Sequence, residues 1–242
     1  MGYVQRTTLL PACSDAMSSF DAAARSAFET MMGRQLSELQ RKQLVAPFRH
    51  AGLGLRSALD TADEAYCASL LSTRALRQTL YPGVDGACEQ VVERINAALP
   101  IDDRICIPGV DEPMISQQQL GRKLAVARAS QLAEVLPPVH RARLHLFSAP
   151  RAGRWFNAAP SSTLDKHLTS RDLSIFRYLL VGVDVFDESC ICRFCGAVSD
   201  TSGIHALSCT ASGDIVLRHH DVRDIRLFVR RRFRINAFPL VL

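Results

Sequence analysis

The chain has 242 residues, is 48% hydrophobic and 22% charged, and carries a formal net charge of +5. These proportions belong to ordinary globular proteins and exclude a disordered tract, a fibrous repeat or a disulfide scaffold. No apolar run approaches the roughly 20 residues of a membrane helix, and the opening MGYVQRTTLLPACSD lacks the apolar stretch of a signal peptide, so the expected setting is intracellular, nuclear or cytoplasmic.

In chain order, the first two-thirds reads as helices with clear stops, and the fold class expected is mainly α: an irregular helical bundle, a small zinc knuckle, then a basic C-terminal helix. SDAMSSFDAAARSAFETMMG places Met17, Phe20, Ala24, Ala27, Phe28 and Met31 on one face and ends on Gly33, where a left-handed cap belongs. SELQRKQLVAP opens with a capping box, Ser37 with Gln40, and closes at Pro47. TADEAYCASLLSTRALRQTLYPG repeats the device with Thr61 and Glu64. DGACEQVVERINAALP aligns Cys88, Val91, Val92, Ile95 and Leu99, with Asp85 as its cap. SQQQLGRKLAVARASQLAEVLPP aligns Leu120, Leu124, Ala127, Leu132 and Val135 behind Ser116 and Gln119. A further helix, about 172–180, carries Leu173, Phe176 and Leu180. RICIPGV and LHLF alternate briefly and read equally as short ribbon or helix.

The expected organisation is a helical region over 1–150, a connecting segment with one helix over 151–189, a knuckle over 190–213 and a basic tail over 214–242. The stretch 148–169, rich in Pro, Ser and Ala, is the expected hinge.

Eight cysteines divide into two groups. Cys13, Cys67, Cys88 and Cys106 are scattered and read as buried free thiols. Cys190, Cys192, Cys195 and Cys209 crowd together, and with His205 they spell C-x2-C-x9-H-x3-C. The first pair has the spacing of a knuckle, with Gly196 at the turn, and His205 and Cys209 stand one helical turn apart. Thiolates and imidazole in a closed set of four are the ligands of structural Zn²⁺, with no open position for water, so Cys192, Cys195, His205 and Cys209 are the expected metal ligands. Cys190 is a spare donor two residues upstream.

Charge is unevenly spread. From Asp214 to Leu242 there are seven Arg and three Asp, a balance of +4, leaving +1 for the preceding residues. Ile215, Val222, Ile225, Val229 and Phe233 recur at helical spacing, with arginines filling much of the rest. The guanidinium fork binds two phosphate oxygens at once, so RNA or DNA is the expected partner. The nucleic-acid-binding residues expected are Arg218, His219, Arg223, Arg226, Arg230, Arg231 and Arg232, with Arg154 and Trp155 as a stacking contact.

CRFCGAVSDTSGIHALSCTASGDIVLRHHDVRDI resembles the knuckle downstream of the polymerase in non-LTR retrotransposon reverse transcriptases of the restriction-like-endonuclease type. The match runs through Asp200, Gly203, His205, Ala206, Leu207 and Cys209, then Gly213, Arg218, His219, Arg223 and Asp224, with His220 in place of the usual Asn. APFRHAGLGLRSALDTADEAYCASLL resembles the family's helical thumb and linker, and RAGRWFNAAPSSTLDKHLTSRDLSIFRYLLVGV its segment before the knuckle. The resemblance implies a post-polymerase thumb/linker piece, with Gly52-Leu53-Gly54 as a packing turn. The polymerase palm with its paired aspartates and the endonuclease carboxylates have no counterpart in this sequence, and RLFVRRRFRINAFPLVL matches no family motif, which makes a truncated or frame-shifted tail an expectation.

No catalytic constellation emerges. Asp184, Asp187 and Glu188 lack a Lys partner at nuclease spacing, and Gly52-Leu53-Gly54 lacks the third glycine of a dinucleotide loop. The expectation is therefore a non-enzymatic nucleic-acid-binding fragment with no small-molecule substrate and no membrane partner. The alternative is a zinc-stabilised helical interaction domain that does not bind nucleic acid.

Overall fold

The computed structural model describes residues 2–81, 86–107, 114–150, 152, 169–213, 215–217 and 220. The chain forms two compact units, Met1–Val183 and Asp184–Leu242. It is mainly helical, as the periodicity predicts, and among the described residues its one sheet is a two-stranded ribbon.

The first unit contains α1 (Gly2–Thr7), α2 (Leu10–Met32), α3 (Glu38–Val45), α4 (Ala62–Ser72), α5 (Arg74–Leu80), α6 (Gly86–Ala97), α7 (Gln117–Val135), α8 (Pro138–Ser148) and α9 (Ser170–Val181). Pro11 sits in the first turn of α2, where its missing N–H costs nothing, and Gly33 closes the helix at φ 66°. The buried stripe of α2 is Cys13, Met17, Glu29 and Met32, whereas Phe20 and Met31 face outward at 45% and 54% exposure. The stripe predicted through Phe20 and Met31 is thus displaced: the positions that meet α4 and the 57–62 segment begin at Cys13, ahead of the predicted helix start.

Capping boxes form at Ser37–Gln40 and Ser116–Gln119 as predicted, and a third at Thr169–Asp172 opens α9. The box predicted at Thr61 and Glu64 does not form. Gln5 Nε2 donates to the Thr61 hydroxyl at 2.9 Å, and that hydroxyl donates to the Ser57 carbonyl at 2.7 Å. These bonds tie α1 to α4 and leave no cap function. The helix predicted across residues 61–81 also divides between α4 and α5 at Thr73, whose hydroxyl bonds the Ser69 carbonyl. Asp85, the predicted cap of α6, lies outside the described residues, but the predicted inner face of Cys88, Val91, Val92, Ile95 and Leu99 is fully buried.

The largest core packs α4, α6 and α7 through Cys67, Leu71, Val91, Ile95, Leu120 and Leu124. A second joins Met32 and Leu44 to Val181, and a third joins Leu132 and Leu136 to Leu144 and Leu180. Leu136 takes the buried place predicted for Val135, which is 61% exposed, because the helix ends at that residue. Leu146 lies in α8, and Ile105 is held singly by the Asn96 side chain, whose Nδ2 donates to its carbonyl and whose Oδ1 accepts from its N–H, so neither is a strand. Cys13, Cys67 and Cys88 are buried as expected, while Cys106 is exposed. Burial pushes the Cys67 thiol up to about 12, with Cys88 and Asp63 adding to the effect, so it stays an inert core thiol.

Two polar devices fix the loops. Asp21 accepts from Ser57 Oγ at 2.6 Å and from the N–H groups of Ala58 at 2.7 Å and Leu59 at 3.1 Å. After α3 the chain doubles back tightly: Gly52 N–H donates to the Pro47 carbonyl at 3.2 Å and Gly54 N–H to the Ala46 carbonyl at 2.9 Å. A Cβ on Gly52 would sit 1.8 Å from the Ala46 oxygen, so this is a packing turn in which backbone meets backbone. Arg143, from α8, closes the end of α9 by donating to the Leu180 carbonyl at 3.0 Å and to Gln43 Oε1 at 2.9 Å. Burial lowers the Arg143 pKa to about 10, and the negative end of the α9 dipole compensates its charge.

The second unit holds β1 (Cys190–Ile191), β2 (Val198–Ser199) and α10 (Ile204–Ser208), followed by a single 3-10 turn at Thr210–Ser212. β1 and β2 pair antiparallel, Cys190 with Ser199 and Ile191 with Val198. The predicted stretch 148–169 lies largely outside the described residues. No helix among the described residues is long and apolar enough to cross a membrane.

Candidate metal centre

The ribbon and α10 bring four donors together. Cys192 and Cys195 occupy the turn between β1 and β2, which is closed by Cys192 N–H to the Ala197 carbonyl at 2.8 Å and Gly196 N–H to the Cys192 carbonyl at 2.9 Å. Gly196 has φ 72°, the left-handed conformation this return needs. The turn also points backbone N–H groups at sulfur: those of Cys195 and Phe194 donate to Cys192, and that of Ala197 to Cys195.

The second pair comes from α10. Gly203 begins the helix at φ 79°, a left-handed conformation that favours glycine. Asp200 accepts from the His205 N–H at 2.8 Å, satisfying an otherwise open donor of the first turn, and it also accepts a short hydrogen bond from the Ser202 hydroxyl. Cys209 follows the last turn and donates its N–H to the His205 carbonyl at 2.8 Å. One helical turn thus aims His205 and Cys209 the same way.

The ligand atoms of Cys192, Cys195, His205 and Cys209 all lie within 4.8 Å of one another, and this set can hold a metal ion. Cys195 Sγ is 3.4 Å from His205 Nε2, and Cys192 Sγ is 3.8 Å from Cys209 Sγ. The backbone donors from Cys195 and Phe194, with the His205 side chain, pull the Cys192 thiol down to about 6. At Cys195 the Ala197 N–H also favours the thiolate, but desolvation and the neighbouring sulfurs outweigh it and the value rises. The backbone donors thus favour the thiolate at Cys192, the form in which sulfur binds a cation.

Cys190 is exposed in β1 opposite Ser199 and is not among the four clustered donors. Arg193 lies over the Phe194 ring at 4.7 Å, within the same turn. The sequence gives no warning of the ribbon, whose strands are two residues each, nor of the Asp200 side chain reaching past the Gly203 N-cap to the His205 N–H. Ile215–Leu217 make a helical turn at the start of the tail. Arg218, His219, Arg223, Arg226, Arg230, Arg231 and Arg232 lie outside the described residues, as do Arg154 and Trp155.

No family model, curated protein or solved structure matches the chain.

Proposed function

We propose that Cys192, Cys195, His205 and Cys209 hold a structural Zn²⁺ that anchors a basic segment for binding to a nucleic-acid backbone, and that the chain is the post-polymerase thumb/linker and knuckle piece of a non-LTR retrotransposon reverse transcriptase. The observation that carries this reading is the convergence of three sulfurs and one imidazole within 4.8 Å. A tetrahedral ion with Zn–S near 2.3 Å and Zn–N near 2.0 Å puts two sulfurs about 3.8 Å apart and sulfur and nitrogen about 3.5 Å apart. The spacings of 3.8 Å and 3.4 Å agree with those edges. The N–H groups aimed at Cys192 and Cys195 act as outer-shell donors that stabilise thiolate charge.

The route from centre to partner is short. Cys209 ends α10, and the first tail arginine, Arg218, follows nine residues later. Binding acts through the arginines Arg218, Arg223, Arg226 and Arg230 to Arg232, each a bidentate phosphate donor, with His219 beside them. The role is binding, with no chemical step.

Purified protein is expected to contain one zinc per chain by elemental analysis, and Cys195→Ser with His205→Ala to remove it. The wild-type chain is expected to bind single-stranded RNA or DNA oligonucleotides with an affinity that drops steeply between about 50 and 200 mM salt. Changing Arg218, Arg223 and Arg226 to Ala is expected to weaken that binding by an order of magnitude or more. Metal-free wild-type protein or salt-independent binding refutes the corresponding half of the reading.

A further inference from the structure

A groove of about 1440 Å³ opens in the first unit, walled by α2, α3, the 46–61 loop and α7. Arg25, Lys42, Arg56 and Arg122 line it, one from each of those four walls. Arg6, Arg41, Arg49 and Arg128 complete eight cations, against four carboxylates, Asp21, Glu38, Asp60 and Glu64. Residues 1–213 sum to only +1, so a lining of +4 leaves the rest of that stretch at −3. The net positive charge of that stretch is therefore concentrated in this lining.

The carboxylates neutralise only part of it: Arg41 meets Glu29, outside the lining, at 3.1 Å and Glu38 at 4.0 Å, and Arg128 and Arg56 act on the Glu64 carboxyl. Asp21 is engaged by Ser57, Ala58 and Leu59, and Glu64 is buried. Arg25, Lys42 and Arg122 meet no carboxylate at ion-pair distance among the described residues. Between these cations the lining is apolar, with Leu55 and Leu59 half-buried and Leu44 and Leu132 buried beneath, and it carries two exposed apolar side chains, Phe48 at 39% and Val135 at 61%.

That combination selects the occupant. A phosphate backbone pairs with cations but leaves an aliphatic floor against water, and unpaired bases stack on aromatic platforms, of which this lining has only Phe48. An amphipathic helix with acidic flanks satisfies both parts, its apolar stripe on Phe48, Leu55, Leu59 and Val135 and its carboxylates on the cationic rim. We propose that this groove docks an acidic amphipathic helix of a partner protein. The proposal is independent of the metal centre and of the basic tail.

The test titrates fluorescent synthetic peptides into the intact chain. The peptides are about four helical turns long, with Leu, Ile or Phe at i, i+3, i+4 and i+7 and Asp or Glu between. Scrambled isomers of equal composition and an oligothymidylate are the comparators. The patterned peptides are expected to bind roughly tenfold or more tightly than their scrambled isomers. Lys42→Glu with Arg122→Glu is expected to weaken binding roughly tenfold, as is Val135→Ser alone, whereas Arg104→Glu outside the groove changes nothing. All four positions are exposed, and unchanged circular dichroism confirms that each variant folds. Equal binding of scrambled peptides, no binding, or binding indifferent to the groove substitutions (the signature of the arginine tail) overturns the proposal. Oligothymidylate binding that is lost in the same groove variants also overturns it and assigns the groove to nucleic acid.

Discussion

Glu64 shows how a single side chain records its surroundings. It is 5% exposed, and burial raises its carboxyl pKa, with Arg128 and Arg56 pulling the other way and Asp60 adding to the rise. A carboxyl that ionises less readily when folded removes stability as pH climbs from its unfolded value through its folded one. Below that window both states are protonated and the penalty is absent; above it the penalty is constant. Glu64→Gln is therefore expected to melt at a higher temperature than the parent at pH 7. The advantage should shrink as pH falls toward the ordinary carboxylate range, as read by thermal melts across pH. At the metal centre the logic runs the opposite way. There backbone N–H groups favour the thiolate of Cys192, because that sulfur is built to carry charge.

At the scale of the elements, caps were readable where their partners are local. Ser116 accepts from the Gln119 N–H at 3.2 Å while Gln119 Oε1 accepts from the Ser116 N–H at 2.8 Å, and the spacing alone announces both bonds. Ser116→Ala is expected to cost about 1 kcal/mol in chemical denaturation, the usual value for a lost N-cap. Thr61 carries the same signature, but its hydroxyl is claimed by Gln5, 56 residues away, and by Ser57. A long-range competitor of that kind leaves no trace in local spacing. The same holds on α2, where 3.6-residue periodicity fits several rotations and the packing partners select the one through Met17 and Met32. The cluster of four potential donors was legible because their chemistry is rare and their spacing short. The ribbon that positions two of them was not, since two-residue strands have no periodicity to read.

Across the whole molecule, the two units are stabilised by different means. The described apolar core clusters all belong to the first unit, built from residues such as Leu71, Val91, Leu120 and Leu124. In the second unit the buried residues among those described are Ser199, Gly203 and Cys209, while Ile191, Phe194 and Val198 are exposed. A segment with so little buried apolar surface among its described residues is expected to draw folding free energy from an ion held by the four donors proposed as ligands. Calorimetry is therefore expected to show chelation abolishing or lowering one transition, assigned to the second unit, while the helical unit melts as before. A single transition that shifts as a whole would contradict that division. The turn after α3 has a further consequence, for heredity. Position 52 tolerates no Cβ, because the Ala46 carbonyl already occupies its place, whereas position 33 has open space around it and needs only a left-handed backbone. In a saturation-mutagenesis library scored for soluble expression, codon 52 is expected to admit glycine alone, and codon 33 to admit asparagine and aspartate as well. Two glycines that look alike in the sequence thus differ in kind: one is a steric vacancy that the fold has filled, the other a conformational preference that neighbouring chemistries can share.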